Sequence, residues 1–207
     1  MANLRNTKKE DACVVFLDLE TSDLNKDCEI LQIAAKYGEF TFATYIDSKQ
    51  PIPPIVTKIN GLESKNGLLT YRNEVVNSIP LKTALNNFKD WLLSFNKACY
   101  ITAHNINFDG SRLYNAIVNC SMVDDFRSIV CGFVDTLLII RKLTGRKRKD
   151  ECTLAGLAQW KSISIKDAHN AIHDVDTFVK ILNSLNISDT ILIENAKLWN
   201  EQTNIWE

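Results

Sequence analysis

Runs of apolar and polar positions along the chain predict strands first and helices later. The apolar run at 13–18 predicts a buried strand. The segments 29–37 and 40–46 are rich in β-branched residues and are separated by a Gly-Glu pair, which predicts a strand, a turn and another strand. We therefore expect the sheet to begin as an antiparallel meander.

The middle and the end of the chain carry helical periodicity. Between 81 and 95, apolar residues recur at the spacing of one helix face. Further helical patterns occur near 109–119, 135–143, 153–160, 170–185 and 189–201. Short apolar runs at 98–103 and 129–134 predict two more strands, and the prolines from 51 to 54 predict a loop that continues to Gly61. Early strands followed by alternating strands and helices predict an α/β domain with a mixed sheet.

Length and composition are those of an ordinary globular chain. The 207 residues, 45% hydrophobic and 24% charged, suit one domain, which we place at 11–207 after a flexible tail at 1–10. No membrane span or secretory signal is visible, and six cysteines without a C-x-x-C pair suggest reduced thiols. We expect an intracellular protein, nuclear or cytoplasmic, with no membrane partner. Because the net charge is only −1, attraction to nucleic acid needs a local patch or bound metal ions.

Two acids lie where the first strand ends. Asp18 and Glu20 are two residues apart, so in a strand their side chains point to the same face. Two carboxylates side by side in a partly buried site are unfavourable unless a cation or a proton compensates them. The pair therefore indicates a divalent metal site, although an aspartate at a strand end is also a common turn residue.

The three histidines fall within two short acid-containing segments. The first segment contains His104 and ends at Asp109, which alone would serve to stabilise the first turn of a helix. In the second, His169 precedes a helix whose buried stripe leaves Asp174 and Asp176 on its two edges. Periodicity does not choose between these two aspartates.

Taken in order, these residues resemble the DEDDh 3′→5′ exonucleases, a DnaQ-like family of the ribonuclease-H-like superfamily. The matching residues are Asp18 and Glu20 in Asp-x-Glu, Asp109 in an Ala-His-Asn…Phe-Asp segment, and His169 followed five residues later by Asp174. The resemblance covers about 13–185, with Asn60-Gly61 and Asp135-Thr136 as supporting matches. The subgroups most similar are TREX-like and promyelocytic-leukaemia-associated exonuclease domains. The glycine of the family's Asp-x-Glu-Thr-Thr-Gly turn is replaced here by Asp23, which removes no catalytic group.

This resemblance implies a ribonuclease-H-like mixed five-stranded sheet flanked by helices, with two Mg²⁺ or Mn²⁺ ions as cofactors. It implies that Asp18 bridges both ions, that Glu20 and Asp174 hold the ion carrying the attacking water, and that Asp109 supports the other. His169 is implied as the general base, because the ordinary pKa of histidine, about 6.5, suits proton abstraction near neutral pH.

Contacts with the terminal nucleotide are implied for residues close to these acids. They are Leu19, Thr21, Leu24, His104 and Asn105. The first two act through backbone near the acids, and Leu24 acts as an apolar wedge. His104 is also expected to make a structural hydrogen bond near the site.

A basic run lies at 141–149, where six of nine residues are Lys or Arg. We expect part of it to contact substrate phosphates without reading base sequence. These substrate-binding residues are Arg146, Lys147, Arg148 and Lys149. A nuclear-import signal and a merely solvated loop are the alternatives. Trp91 and Trp160 occupy helical apolar positions and are expected in the core rather than as stacking platforms for bases.

The sequence therefore predicts a metal-dependent 3′→5′ exonuclease that releases nucleoside 5′-monophosphates from nucleic acid with a free 3′ end. Single-stranded DNA is the favoured substrate. The alternatives are an exoribonuclease of the same polarity, and a nuclease-like module that binds nucleic acid or protein without cutting. The complete set of acids and histidine favours the enzyme, since loss of activity usually leaves gaps in such a set.

Overall fold

The computed structural model describes residues 11–25, 27–166 and 168–199. Its strands are β1 Cys13–Thr21, β2 Ile30–Tyr37, β3 Phe40–Ile46, β4 Leu62–Lys65, β5 Leu68–Tyr71, β6 Glu74–Val75, β7 Ser78–Ile79, β8 Cys99–Ala103, β9 Val130–Asp135 and β10 Lys197–Leu198. Its helices are α1 Pro54–Asn60, α2 Leu81–Leu93, α3 Ile106–Asn119, α4 Val123–Arg127, α5 Thr136–Thr144, α6 Leu154–Trp160, α7 Ala171–Ser184 and α8 Asp189–Glu194. The tail predicted at 1–10 lies outside the described residues.

The main sheet has seven strands in the order β10-β9-β8-β1-β2-β3-β7. Strands β1, β2 and β3 form the predicted antiparallel meander, whereas β8 is parallel to both β1 and β9. The five longer strands are those expected from the sequence, and the two-residue strands β7 and β10 extend the sheet at its edges. The predicted mixed α/β architecture is confirmed.

Strand β1 lies inside the sheet and is covered on both faces. Cys13, Val15 and Leu17 belong to an apolar cluster that includes residues of α2 and α3. Val14, which points to the opposite face, belongs to a cluster that includes residues of α5, α6, α7 and α8. A strand buried on both faces has a continuous apolar sequence, which explains why this segment lacks polar alternation.

The alternation of β1 also decides where its acids point. Phe16 packs edge-on against Phe178 of α7, with the ring centroids 5.5 Å apart. Asp18 and Glu20 follow Phe16 at intervals of two residues, so they project toward the α7 side of the sheet. The face expected for both carboxylates is therefore the one that carries α7.

Three segments differ from the sequence expectation. The loop predicted to run from the prolines to Gly61 ends at Pro53, because Pro53 caps α1 and Pro54 is its first residue, where the missing N–H costs no hydrogen bond. A second small antiparallel sheet, β4-β5-β6, follows that helix and was not predicted. The last helix was predicted to run to 201, but α8 ends at Glu194 and the chain continues as β10, which pairs with β9. Among the described residues, none of the helices combines the length and apolar character that crossing a membrane requires.

Candidate active site

The acids gather at one edge of the sheet, where β1 continues past its parallel neighbour β8. The last paired residues of these two strands are Phe16 and Thr102, so Asp18 and Glu20 lie beyond the paired part of β8. On its other side β1 stays paired, and Glu20 lies opposite Gln32 of β2. Asp18 is half-buried and Glu20 is buried. This edge therefore holds both carboxylates on a rigid strand while leaving one side open.

Asp109 reaches the same edge from helix α3. Strand β8 leads directly into that helix through Asn105, whose φ of +68° turns the chain, a conformation that asparagine tolerates well. Asp109 is buried in the first turn of α3, and its Oδ1 accepts a hydrogen bond from the backbone N–H of Leu19 at 3.2 Å. This bond joins α3 to β1 at the residue between the two strand acids.

Helix α7 supplies the fourth acid, and the loop just before it supplies the histidine. Asp174 is buried in the first turn of α7, and its Oδ2 accepts the backbone N–H of His169 at 2.8 Å. Potential ligand atoms of Glu20, His169 and Asp174 all lie within 4.8 Å of one another. Asp176 is instead paired with Lys36 of β2, at 2.6 Å. The fold thus separates the two aspartates that helical periodicity alone left equivalent.

Burial raises the pKa of each of the four carboxyl groups, and repulsion from the other acids adds to this for Asp18 and Glu20. Burial raises the pKa of Asp18 well above 3.8, and the charges of Asp109, Glu20 and Asp174 raise it further. Burial, followed by the charge of Asp174, raises the pKa of Glu20 to about 8. Burial raises the pKa of Asp109 to about 7, although the Leu19 N–H favours its charged form. Burial likewise raises the pKa of Asp174.

These acids have the chemistry of a divalent cation site. Among the described residues that line the surrounding cleft there is no Lys or Arg to compensate the carboxylates. A cation of charge two would compensate them and lower the raised pKa values. Carboxylate oxygens are hard ligands that magnesium and manganese ions prefer. The residues present therefore fit the expected metal cofactor.

His104 lies in the cleft, but both of its ring nitrogens are engaged by the protein. The Cys152 carbonyl oxygen lies 2.6 Å from Nε2 and can only accept, so Nε2 carries the proton. Nδ1 lies 3.3 Å from the Thr136 hydroxyl. Burial lowers the pKa of His104, which keeps the ring neutral. These contacts are those of the structural hydrogen bond that the sequence suggested.

A cleft of about 560 Å³ opens above the carboxylates. All five residues implied as contacts of the terminal nucleotide line it, namely Leu19, Thr21, Leu24, His104 and Asn105. Leu24, Ile55 and Ile59, which also line it, are 80%, 65% and 53% exposed. Exposed apolar side chains around a polar floor are typical of a ligand site. Ile55 and Ile59 lie on α1. Because a loop was predicted there, the sequence analysis did not identify them as cleft residues.

The four basic residues at 146–149 are not among the described residues that line the cleft. Arg146 lies over the ring of Trp160, with its Cζ 4.1 Å from the ring centroid. Arg148 is paired with Asp150 at 2.7 Å. Lys147 and Lys149 are exposed. The segment lies beside α6, and its predicted contact with phosphates stays a prediction.

Arg112 supports the cleft and was missed from the sequence. It is buried, and its guanidinium donates to the carbonyl oxygens of Leu24, Asn25 and Phe108, the last two at 2.9 Å. The same group lies over the Phe108 ring, 3.5 Å from the centroid. Arg112 therefore holds the turn after β1 against α3 and fixes two apolar residues of the cleft. A lone arginine on a helix gives no signal of this role in the sequence.

Two buried amides orient the acids. The Oε1 atom of Gln32 accepts the backbone N–H of Ala171 at 3.0 Å, which ties the start of α7 to β2 opposite Glu20. Asn60, at the end of α1, donates to the Thr21 carbonyl at 3.4 Å, and its hydrogen bond to Glu20 favours the charged carboxylate. Asn60 was noticed in the sequence only as a family match, and Gln32 was not noticed at all.

Known proteins resemble the chain in both sequence and fold. No protein-family model matches it. It is 28% identical over 187 residues to a PolC-type DNA polymerase III from Caldanaerobacter subterraneus subsp. tengcongensis, a match that covers 85% of this chain and 12% of the polymerase. A structure of exonuclease I matches with a TM-score of 0.70 and 14% identity, covering 88% of this chain and 42% of that one.

Two further solved structures are matched over most of their length. The nuclease domain of 3′hExo, a DEDDh family member bound to rAMP, has a TM-score of 0.67 at 9% identity, with 92% of this chain and 97% of that chain covered. A 3′-exonuclease structure concerned with recognition of the 3′ end of a histone mRNA stem-loop has a TM-score of 0.61 at 8% identity, with 90% and 84% covered.

The chain has the fold of these exonuclease structures, and one cleft gathers the four acids and the histidine that the sequence singled out. The predicted likeness to DEDDh, DnaQ-like exonucleases is supported by the fold that the chain shares with exonuclease I and with the nuclease domain of 3′hExo, and by the 28% identity to the PolC-type sequence. The chain spans only 12% of that polymerase and 42% of the exonuclease I chain. What it shares with the solved structures is the fold.

Proposed function

We propose that this chain is a metal-dependent exonuclease that removes nucleotides one at a time from the 3′ end of single-stranded DNA and releases nucleoside 5′-monophosphates. The observation that carries the proposal is the convergence of four acids from separate parts of the chain. Asp18 and Glu20 come from β1, Asp109 from α3 and Asp174 from α7, and all four line one cleft. Acids that are buried or half-buried are unfavourable without compensation, so a fold that gathers four of them supports a cation-dependent role.

The proposed cofactors are two Mg²⁺ or Mn²⁺ ions. Asp18 would be shared by both, with Glu20 and Asp174 on one side of it and Asp109 on the other. When bound, such a pair activates a water molecule and stabilises the departing 3′-oxyanion of an in-line displacement. The hydrogen bond from Leu19 to Asp109 and the bond from His169 to Asp174 would orient two of the four carboxylates before a cation binds.

His169 is proposed as the general base. Its ring is exposed, and its backbone is bonded to Asp174, so the imidazole stays beside the acids while it remains open to solvent. A ring nitrogen would accept the proton of the attacking water and return it to solvent. The φ of +63° at His169 is a sparsely populated conformation for a side-chain-bearing residue, which is common where a residue serves a site rather than the fold.

The apolar rim supports a preference for an unpaired terminal nucleotide. Leu24, Ile55 and Ile59 would contact the sugar and base of that nucleotide, while backbone from Leu19 to Thr21 would contact its polar atoms. A flipped or unpaired base can lie against such side chains, whereas a paired base would first have to leave its partner.

An exoribonuclease of the same polarity is the second candidate. It is favoured by the fold neighbours that were solved with rAMP or for recognition of a histone mRNA stem-loop. Recognition of RNA over DNA at a site depends on contacts to the 2′-hydroxyl, so parallel assays with the two sugars select between the candidates.

The decisive test uses 5′-labelled single-stranded DNA, duplex DNA and RNA with Mg²⁺, Mn²⁺ or EDTA. We expect a ladder that shortens stepwise from the 3′ end of single-stranded DNA, requires the metal and yields nucleoside 5′-monophosphates. Asp18→Asn should abolish the ladder, and Asp90→Asn, at an exposed position of α2, is the matched control. Faster shortening of RNA would select the second candidate. Cleavage in EDTA, or binding of the strand without shortening, would refute the proposed exonuclease.

A further inference from the structure

Trp160 ends helix α6 with its indole at the surface. It is 43% exposed, so the expectation that it lies in the core is wrong. Trp91, for which the same was expected, does pack against a core cluster. An indole that is 43% exposed differs from an ordinary core tryptophan, because part of its ring is open to a partner.

Two cations flank this ring. The Cζ atom of Arg146 lies 4.1 Å from the ring centroid, and the Nζ atom of Lys161 lies 5.0 Å from it. The buried Nε of Arg146 has no hydrogen-bond partner among the described residues. The arginine is therefore held by the ring, and no carboxylate of the described residues accepts from its Nε.

The ring is also close to the candidate active site along the chain. Leu154 and Ala155, at the start of α6, line the cleft above the carboxylates. Trp160 and Gly156 line a separate depression of about 250 Å³ on the same helix. Five residues of helix rise place Trp160 about 8 Å from Ala155 along the axis. A strand that leaves the cleft at Ala155 would reach this ring by passing about 140° around α6.

The segment that carries Arg146 is fixed against α6. Gly156 packs so closely on the 3₁₀ turn at Asp150–Cys152 that an added Cβ would collide with the Asp150 carbonyl oxygen. The His104 ring is hydrogen-bonded to the Cys152 carbonyl oxygen at the other end of that turn. These contacts connect the segment before α6, which carries Arg146, both to the helix that carries Trp160 and to His104 of the cleft.

The net charge of the side chains around this depression is positive. Asp150 and Glu151 line it, but both lie beside Arg148, at 2.7 Å and 3.8 Å. Lys147 and Lys149 remain exposed. A base stacked on the indole would therefore lie beside cations that can contact the phosphates of its strand.

We propose that Trp160, flanked by Arg146 and Lys161, is a stacking platform for a base of the unpaired strand behind the 3′-terminal nucleotide. The proposal rests on the proposed exonuclease function for the identity of the strand. An aromatic ring beside a basic groove is a sequence-tolerant way of binding single-stranded nucleic acid. The platform would hold a longer strand between successive cuts and would not touch a substrate too short to reach it.

The test compares a long strand with a short one. Fluorescence anisotropy would measure two dissociation constants in the Asp18→Asn background. The long ligand is an oligothymidylate of about ten nucleotides, which is in the size range of single-strand binding sites, and the short ligand is a dinucleotide. Trp160→Ala should weaken binding of the long strand by about five- to a hundredfold, and Trp160→Phe should weaken it less. Arg146→Ala should weaken it and make binding less dependent on salt. Arg127→Ala, on α4 at the opposite face of the sheet, is the matched control.

The ratio of long-strand to short-strand affinity decides the inference. A ratio that falls in Trp160→Ala and stays constant in Arg127→Ala supports the platform. A constant ratio in Trp160→Ala, or an equal loss for both strands, overturns it. If Trp160→Ala fails to fold, the same ratio in Trp160→Phe and Arg146→Ala decides. Parallel digestion by the unmodified chain keeps the two proposals apart, because a chain that binds long strands through Trp160 but does not cut them refutes the nuclease alone.

Discussion

Replacing Glu20 by glutamine should stabilise the metal-free protein at alkaline pH. Burial and the charge of Asp174 raise the pKa of Glu20 from 4.5 to about 8. That difference corresponds to about 5 kcal/mol of unfavourable free energy when the side chain must ionise in the folded protein. Glutamine has the same shape and can still accept the hydrogen bond from Asn60, but it carries no charge. We expect a measured gain of at least about 1 kcal/mol, with 5 kcal/mol as the upper limit, because the site can relax and admit water.

The direction of the pH dependence follows from the raised pKa of Glu20. Between pH 4.5 and about 8 the folded protein keeps a proton that the unfolded chain releases. The free energy of unfolding therefore falls as the pH rises through this window, and the loss is complete above the folded pKa. The advantage of Glu20→Gln over the parent should be near zero at pH 4 to 5 and largest near pH 8.

Urea unfolding followed by circular dichroism at pH 5 and pH 8 would measure this advantage. In EDTA, Glu20→Gln should have the higher unfolding free energy at pH 8, while Glu39→Gln, exposed in the turn between β2 and β3, should match the parent at both pH values. In Mn²⁺ the order should reverse, because the parent gains more binding free energy than a variant lacking one ligand. A Glu20→Gln variant no more stable than the parent at pH 8 in EDTA would show that Glu20 is not held in an unfavourable site.

Three further predictions concern the proposed activity. Asp18→Asn should abolish strand shortening while leaving the unfolding midpoint in EDTA equal to or above that of the parent, and loss of fold would contradict this. His169→Ala should slow hydrolysis by about 10²- to 10⁴-fold with little change in Mn²⁺ affinity by calorimetry, and a merely severalfold loss would remove His169 from the role of base. Arg112→Lys should raise KM for an oligonucleotide about tenfold and change kcat less, because an ammonium group cannot bond several carbonyls and hold Leu24 in place. Arg127→Lys is its control, and equal effects of the two changes would contradict a positioning role.

The sequence was most informative where burial and charge conflict. Asp18 and Glu20 were conspicuous because charged residues rarely end an apolar run, and their shared face is the one that the structure shows. The strands at 13–18 and 29–37 were predictable because their apolar residues are buried in a sheet that is covered on both faces there. The strand at 40–46 is more exposed, and its β-branched residues indicated it. Periodicity could not choose between Asp174 and Asp176, since that choice depends on a partner far away in sequence. The partner is Lys36 of β2, whose ion pair with Asp176 holds that carboxylate away from the site.

Segments whose structure depends on their surroundings were less predictable. Pro53 and Pro54 are equally suited to a loop and to the first turn of a helix, and the packing of α1 beside the cleft decides. Trp160 has the helical spacing of a core residue, but α6 ends at that residue and its side chain remains at the surface. In both cases the local sequence permits two structures, and the exposed apolar side chains that result belong to the candidate binding surface.

The residues that support the acids are ordinary in sequence for a physical reason. Gln32 and Arg112 act through hydrogen bonds to backbone carbonyl and amide groups, and backbone groups carry no sequence signature. Their importance comes from burial, because a buried amide or guanidinium must keep its partners or lose stability. A buried arginine bonded to the carbonyls of the turn after β1 therefore couples the stability of α3 to the position of Leu24. The same coupling is why we expect Arg112→Lys to act on substrate affinity before it acts on turnover.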